Sequence, residues 1–253
     1  MKLTHRIVGE GKPLVILHGL FGNSDNWQTH AKKLAEYYQV ILVDQRNHGH
    51  SAWSNEFSYE LLAADLHELI QDLGFSNVSI LGHSMGGKVA MRFTQLYPEM
   101  VEKLIVVDIG VKSYPMHHQE ILAGIHAVSA SAMDSRSDAE NLLLPFVPAI
   151  GTRQFLLKNL YWKEKGQLAW RMNYLVLEEK MDEILKALPI EENFTPTLFI
   201  RGALSNYILD DDYEMLEEVF PDAQFLTIEN AGHWVHAEAP DVFMNAVLSF
   251  LLR

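Results

Sequence analysis

Six short apolar runs recur along this chain, and they constrain its fold more than any other feature of the sequence. They lie at residues 14–17, 40–43, 78–81, 104–107, 197–200 and 225–228 (LVIL, VILV, VSIL, LIVV, TLFI and FLTI). Most are continuous and rich in β-branched residues, which is typical of parallel strands covered on both faces. The segments between them are long enough for helices. Strands that alternate with helices predict a doubly wound α/β domain.

Two of the intervening segments carry clear helix signals. Ser58 is a candidate N-cap, and apolar residues follow it at helical spacing (Leu62, Leu66, Leu69, Ile70 and Leu73). Pro240 suits the first turn of a final helix, which has its own apolar stripe (Val242, Phe243, Ala246, Val247, Phe250 and Leu251).

In one interval, from residue 108 to residue 196, strands and helices do not alternate. Its apolar residues recur mostly at helical spacing. An interval of this length inside a compact domain is expected to have structure of its own. The sequence therefore predicts a core made of residues 1–111 and 191–253, with residues 112–190 inserted as a helical cap over the edge of the sheet.

Composition narrows the class of protein. The net charge of −13 argues against a nucleic-acid surface and against docking on an anionic membrane. The chain has no cysteine, which excludes disulfides and thiolate chemistry. The opening MKLTHRIVGEG lacks the apolar core of a signal peptide, and no apolar run approaches the length of a membrane helix. We expect a soluble, cytoplasmic protein, and the composition leaves the oligomeric state open.

Polar residues or glycines close all the predicted strands. They are His18-Gly19, Asp44, Gly82, Asp108, Arg201-Gly202 and Glu229-Asn230. Ligands of open α/β sheets bind beyond the carboxyl ends of the strands. We therefore expect these residues to converge on one crevice beneath the predicted cap.

Ser84 lies in Gly82-His83-Ser84-Met85-Gly86, which fits the pattern G-x-S-x-G between a predicted strand and a predicted helix. In that context the pattern is typical of a nucleophilic serine on a sharp turn, where only glycines leave room beside it. A serine that merely caps the helix is the simpler alternative. A dinucleotide site is a third interpretation, but glycines at 82, 86 and 87 do not match G-x-G-x-x-G.

A nucleophilic serine needs a general base, and His233 is the best placed histidine. It follows the last predicted strand and precedes the last predicted helix, so it comes after Ser84 in the chain order that such sites have. His236 is its nearest rival. The other histidines lack carboxylates at the spacing of metal ligands, so the sequence gives no support for a metal site.

The oxyanion of such a reaction needs two backbone donors. One is expected to be the amide of Met85, directly after the nucleophile. The other is expected in the loop HGLFG at residues 18–22. Leu20 is the preferred residue in that loop, with Phe21 as the neighbouring alternative.

Five motifs in a fixed order give the chain a specific likeness, which runs from residue 3 to residue 252: LHGLFGNSDNW, VDQRNHGHS, GHSMGGKVAM, VVDIG and NAGHWVHAEAP. The chain resembles the small bacterial serine esterases of the α/β-hydrolase superfamily, and most of all the YbfF-type esterases. The resemblance implies an α/β-hydrolase fold, with a mostly parallel sheet flanked by helices and an inserted helical cap. It also implies hydrolysis of acyl esters without a cofactor, with acyl thioesters as further candidate substrates. Asn47 departs from the family pattern, which usually has a glycine there.

The acidic partner of His233 departs from the commonest pattern of that superfamily. Many members carry it three residues after the glycine that ends the strand before the last, and here that glycine is Gly202 and the position holds Ser205. Asp108 ends the strand that follows the nucleophile and keeps the order serine, acid, histidine, so it is the predicted acid. Ser205 is a candidate hydrogen-bond donor to the same cluster. The rival acids are Asp210, Asp211, Asp212 and Glu229.

The predicted function is that of a serine carboxylic-ester hydrolase, which acts on a small-molecule acyl ester through an acyl-enzyme intermediate. Two alternatives stay open: a carbon–carbon bond hydrolase of the same fold, and a receptor that keeps the pocket without turnover. Lys88 and Arg201 are candidate partners for an anionic group of the substrate. Aromatic residues of the predicted cap suit an acyl chain, and we expect only a few of them to touch ligand (Tyr114, Phe146, Phe155, Tyr161, Trp162, Trp170 and Tyr174).

Overall fold

The computed structural model describes residues 1–133 and 135–253, so Asp134, inside the predicted cap, lies outside the described residues. The strands are β1 (His5–Val8), β2 (Lys12–Leu17), β3 (Tyr38–Val43), β4 (Val78–His83), β5 (Val101–Val107), β6 (Leu160–Glu164), β7 (Gln167–Trp170), β8 (Thr197–Gly202) and β9 (Gln224–Ile228). The α-helices are α1 (Gln28–Leu34), α2 (Tyr59–Asp72), α3 (Met85–Leu96), α4 (Gln119–Ser129), α5 (Arg136–Leu143), α6 (Ile150–Leu157), α7 (Tyr174–Glu179), α8 (Met181–Leu185), α9 (Tyr213–Val219), α10 (Val235–Glu238) and α11 (Pro240–Leu251). Short 3₁₀ turns lie at Ser24–Trp27, Pro98–Met100 and Asp210–Asp212.

The main sheet has the strand order β1-β3-β2-β4-β5-β8-β9. Its neighbouring strands are parallel, except that β1 runs antiparallel to β3. All six predicted runs lie in this sheet, and the mostly parallel, helix-flanked architecture confirms the predicted fold class. The edge strand β1 was not predicted, because its four residues, HRIV, include two polar side chains and form no continuous apolar run.

Two hydrophobic clusters cover the two faces of the sheet. Leu14 and Ile16 of β2 belong to the cluster built with α1 and α11, whereas Val15 and Leu17 belong to the cluster built with α2 and α3. Successive side chains of a strand point to opposite faces. A strand that is covered on both sides therefore reads as a continuous apolar run, which is why these strands could be found in the sequence.

The two helices with clear sequence signals begin where the sequence predicts. The Ser58 side chain accepts a hydrogen bond from the Leu61 amide at 3.1 Å and caps α2, and α11 begins at Pro240. No helix in the described part of the chain is both long and apolar enough to cross a lipid bilayer.

The segment from 112 to 190 contains α4 to α8 and also an antiparallel strand pair, β6 with β7. The sequence predicted only helices here. Gly166 makes the turn between the two strands with a φ of +78°. The sequence did not predict this strand pair, because neither strand forms a continuous apolar run. Charged and polar residues lie within both strands, among them Lys163, Glu164 and Gln167.

The two ends of this inserted segment are held together by backbone hydrogen bonds. The Leu188 amide donates to the Val111 carbonyl at 2.7 Å, and the Tyr114 amide donates to the Leu185 carbonyl at 2.9 Å. The chain therefore leaves the core and returns to it at neighbouring points.

Candidate active site

The loops at the carboxyl ends of the central strands enclose a cavity of about 220 Å³. The core contributes one part of its lining (Gly19, Leu20, Phe21, His83, Ser84, Tyr207, His233 and Trp234) and the inserted segment the other (His117, His118, Ile121, Thr152, Phe155 and Leu156). The expected convergence of the strand-closing residues is only partial. Gly19 lines this cavity and Asp108 contacts His233 at its edge, whereas Asp44 lines a separate cavity and Arg201 pairs with Asp210.

Ser84 occupies the sharp turn between β4 and α3, with φ +53° and ψ −123°. This conformation is strained for any residue but glycine, and such strain is concentrated at functional sites. A Cβ atom on Gly82 would lie 2.3 Å from the Gly86 carbonyl oxygen, and one on Gly86 would lie 2.5 Å from the His18 carbonyl oxygen. The Ser84 side chain makes no capping hydrogen bond to the described backbone, so the simple helix-cap interpretation gains no support.

His233 and Asp108 are in direct contact, with His233 Nδ1 2.8 Å from Asp108 Oδ2. Asp108 is fully buried, and its carboxylate also accepts the Gly202 amide at 3.1 Å and the Ser205 hydroxyl. A carboxylate at Nδ1 keeps the proton on that nitrogen, so Nε2 of the neutral ring is free to accept a proton. His233 and Ser84 face the same cavity without a hydrogen bond between them among the described residues, a common arrangement before substrate binds.

Three of the five rival residues are engaged elsewhere. His236 is buried and stacks on Trp27, with ring centroids 4.4 Å apart. Asp210 pairs with Arg201 at 2.5 Å, and Asp212 pairs with Lys112 at 2.5 Å. In the described part of the chain, Asp108 is the acidic residue that contacts the His233 ring.

Two residues around His233 were missed by the sequence reasoning. His83 Nε2 donates a hydrogen bond to the His233 carbonyl at 2.9 Å, and burial holds the pKa of His83 well below its usual value. The Tyr207 ring stacks on the His233 ring at 3.8 Å between centroids and 16° between planes. His117 Nε2 lies 2.5 Å from the Tyr207 hydroxyl oxygen. The only sequence signal for Tyr207 was its place two residues after Ser205.

The amide of Phe21 is already taken, which favours Leu20 as the donor in the early loop. The Phe21 amide donates to His48 Nε2 at 3.2 Å, and His48 Nδ1 donates to the Arg46 carbonyl at 2.9 Å. Burial lowers the pKa of His48 to about 3, so this ring is neutral and can accept. The Leu20 amide has no partner among the described residues. Met85 is the first residue of α3, so its amide precedes the hydrogen-bond ladder of the helix.

The loop that carries His48 is braced from within. Asn47 has a φ of +65°, a left-handed conformation that asparagine tolerates better than most residues, and it thus replaces the usual glycine of the family pattern. Arg46 makes a bidentate pair with buried Asp65 at 2.6 and 3.0 Å. The Asp44 carboxylate accepts the His50 amide of the same loop and the Ser24 amide of a neighbouring loop.

A second and smaller cavity, of about 20 Å³, also touches Ser84. Lys88 and Tyr114 line it, and Phe155 lines the larger one, whereas Arg201 is engaged with Asp210 and Thr227. Two of the seven aromatic residues singled out in the inserted segment thus border these cavities. Within residues 1–133 and 135–253, no group of three or more histidine or acidic side chains is arranged to hold a metal ion.

Comparisons with known proteins show which family this chain belongs to. The sequence model of a family described as the alpha/beta hydrolase fold matches residues 12–142. The chain is 36% identical over 240 residues to Esterase YbfF of Escherichia coli (strain K12), covering 94% of this chain and 92% of that one. It is 40% identical over 247 residues to the sn-1-specific diacylglycerol lipase ABHD11 of Mus musculus, covering 94% of this chain and 80% of that one. A solved structure described as a marine microorganism esterase superposes with a TM-score of 0.94 at 41% identity, covering 98% of this chain and 99% of that one. These matches confirm the resemblance predicted from the motifs.

Proposed function

This chain belongs to the α/β-hydrolase family and is a carboxylic-ester hydrolase, and we propose that it cleaves its substrates by acyl transfer to Ser84. In this proposal His233 is the general base and acid, Asp108 orients it, and the amides of Leu20 and Met85 bind the oxyanion. The observation that carries it is the 2.8 Å contact between His233 and Asp108 beside the cavity that Ser84 faces. The named esterases and lipase among its relatives support the same class of reaction.

The first half of the reaction forms an acyl-enzyme. His233 Nε2 removes the hydroxyl proton of Ser84 as its oxygen attacks the ester carbonyl. The charge that develops on the carbonyl oxygen is met by the amides of Leu20 and Met85, and the Met85 amide adds the positive end of the α3 dipole. His233 then gives its proton to the leaving alcohol.

The second half repeats these steps with water. His233 Nε2 takes a proton from a water molecule, whose oxygen attacks the acyl carbon, and the acid is released as Ser84 recovers its proton. The buried Asp108 carboxylate stabilises the imidazolium in both halves. Ser205 and the Gly202 amide support this role, because their hydrogen bonds fix the carboxylate in its orientation.

We also propose that residues 112–190 act as a cap on a core formed by residues 1–111 and 191–253. The support is the lining of the larger cavity, to which α4, α6 and the loop before α4 contribute side chains. Small-molecule acyl esters are then enclosed between the strand ends and this segment, which excludes water from the reaction.

A test of this proposal combines turnover with covalent labelling. Neutral p-nitrophenyl acyl esters from acetyl to palmitoyl are hydrolysed by the wild-type chain but not by Ser84→Ala, and a serine-directed phosphonate labels Ser84 in a digest analysed by mass spectrometry. Ser249→Ala, at an exposed position of α11, retains both activity and label. Label on another residue, or activity that persists in Ser84→Ala, would refute the nucleophile.

A further inference from the structure

His233 needs a contact that holds the plane of its ring. In the proposed mechanism its Nε2 serves Ser84, the leaving alcohol and water in turn, so this atom cannot anchor the ring. Its Nδ1 lies 2.8 Å from Asp108 Oδ2, but one hydrogen bond fixes a single atom and constrains the plane of a ring only loosely. The His233 side chain is also 20% exposed, so burial alone does not hold it.

Tyr207 provides the closest ring contact of His233. The two ring centroids are 3.8 Å apart and the planes differ by 16°, so the rings lie nearly face to face. The rings of His83 and Trp234 are farther away and more tilted, at 4.7 Å and 41° and at 5.7 Å and 67°. The Tyr207 ring thus covers one face of the imidazole and opposes its tilting.

Tyr207 belongs to a short segment that also orients Asp108. The Tyr207 amide donates to the Ser205 hydroxyl oxygen at 3.2 Å, and the Ser205 hydroxyl donates to the Asp108 carboxylate. The Tyr207 carbonyl accepts the Tyr114 hydroxyl at 2.9 Å. Residues 205–207 therefore hold both the proposed acid and the ring that stacks on the proposed base.

The Tyr207 ring is a neutral phenol. Burial raises the pKa of Tyr207 above its ordinary value, so the hydroxyl keeps its proton. His117 Nδ1 lies 2.7 Å from the Pro115 carbonyl and carries the proton of the neutral imidazole, which leaves His117 Nε2 to accept from the Tyr207 hydroxyl. The face of such a ring is negative and attracts a cation.

We infer that Tyr207 is a positioning residue for this reaction: its ring holds the plane of the His233 ring and stabilises the imidazolium that forms there. The inference rests on the proposed function. Positive charge appears on His233 when Nε2 takes the proton of Ser84, and the face of that ring already lies against Tyr207. The attraction between the two rings grows with this charge. It is therefore stronger in the transition state than in the ground state, and it raises kcat.

The test removes the ring and then restores it. We expect Tyr207→Leu to lower kcat on a neutral p-nitrophenyl ester about tenfold, with KM within about twofold of wild type. Tyr207→Phe restores the aromatic face without the hydroxyl and should recover most of the lost kcat. Tyr97→Leu is the matched control. Tyr97 also stacks on a histidine, His67, at 4.2 Å and 19°, but it lines neither cavity, so this variant should keep the wild-type kinetics.

The pH profile separates stabilisation of charge from a merely structural role. The acid limb of kcat/KM reports protonation of the base in the free enzyme, and a ring that favours the charged form keeps this limb at higher pH. Tyr207→Leu should therefore move the midpoint of the acid limb toward lower pH, by about half a pH unit. Tyr207→Phe should bring the midpoint back toward its wild-type position.

Several results would overturn the inference while the esterase stands. A rise in KM at unchanged kcat in Tyr207→Leu would make Tyr207, which lines both cavities, only a contact for the substrate. A fall in kcat with an unmoved or raised midpoint, or an equal fall in Tyr207→Phe, would show that the aromatic face does not stabilise the charge. If Tyr207→Leu does not fold, Tyr207→Met offers a flexible apolar side chain and must show the same loss and the same shift. No turnover by the wild-type chain, with no phosphonate label on Ser84, would overturn the proposed function and this inference together.

Discussion

The strand ends of the core and the inserted segment contribute differently to the same cavity. The core supplies Ser84 and Asp108, which both have positive φ, of +53° and +51°, and which adjoin buried strands. The inserted segment supplies Phe155 and His118, side chains that border the cavity without contact to Asp108 in the described residues. The difference teaches that the proposed reacting groups depend on the strands of the sheet, whereas part of the cavity wall depends on the insertion. Substitutions in the core should therefore lower kcat, and those in the insertion should change KM.

Asp108→Asn is the largest effect expected from the core. The amide cannot hold His233 in the reactive tautomer or stabilise its charged form, so we expect kcat to fall by about 10⁴-fold. Steady-state kinetics on a neutral p-nitrophenyl ester measure it. Asp210→Asn, at an exposed position paired with Arg201, is the matched control and should stay close to wild type. A near-normal kcat in Asp108→Asn would show that another residue orients the base.

His48→Leu should give the second largest loss of kcat, although His48 does not line the cavity. The change leaves the Phe21 amide without its acceptor and loosens the loop that presents the Leu20 amide. Loss of one oxyanion donor costs about 10²-fold or more in kcat, and we expect a loss that approaches this value with KM nearly unchanged. His48→Gln offers an acceptor again and should recover part of the rate. An equal loss in both variants would argue against this hydrogen bond as the cause.

Phe155→Ala tests the contribution of the inserted segment. Phe155 borders the larger cavity and packs on Trp234, with ring centroids 4.3 Å apart. Removing the ring takes away apolar contact with the bound ester, so we expect KM to rise about tenfold while kcat stays within about twofold. Leu175→Ala, at an exposed position of α7, is the control within the same insertion. A fall in kcat instead of a rise in KM would break the division between core and insertion.

The last prediction concerns stability in acid, to which a histidine from each region contributes. Burial lowers the pKa values of His48 and His118 to about 3, far below the value of about 6.5 expected in the unfolded chain. Between these limits the unfolded state binds more protons, so the free energy of unfolding falls as the pH falls below about 6.5. Each such histidine contributes a slope of at most about 1.4 kcal/mol per pH unit. Denaturant unfolding from pH 7 to pH 4 measures the slope, and His48→Gln should make it shallower; an unchanged slope would contradict the assignment.

The sequence was most informative where burial and local chain geometry act together. The six core strands and the turn at Ser84 could be predicted, because continuous apolar runs and closely spaced glycines are local signals. The prediction of Asp108 as the acid needed two further arguments. They were the order of serine, acid and histidine along the chain, and the presence of a serine instead of a carboxylate at position 205. Tyr207 and His48 were missed because their contacts join residues far apart in the chain, His48 to Phe21 and Tyr207 to His233. The strand pair β6 and β7 was missed because its polar residues mask the alternation that a hairpin normally shows.

The paired hydrogen bonds at the base of the inserted segment make that segment exchangeable. Since the carbonyl of Val111 already meets the amide of Leu188, a replacement loop begins and ends at points that the remaining chain brings together. The entropy of closing a loop between fixed ends grows only slowly with its length. A graft of different size can therefore be joined at these two points while the sheet keeps its order. Such a chimera would inherit the reacting groups from one parent and its choice of ester from the other.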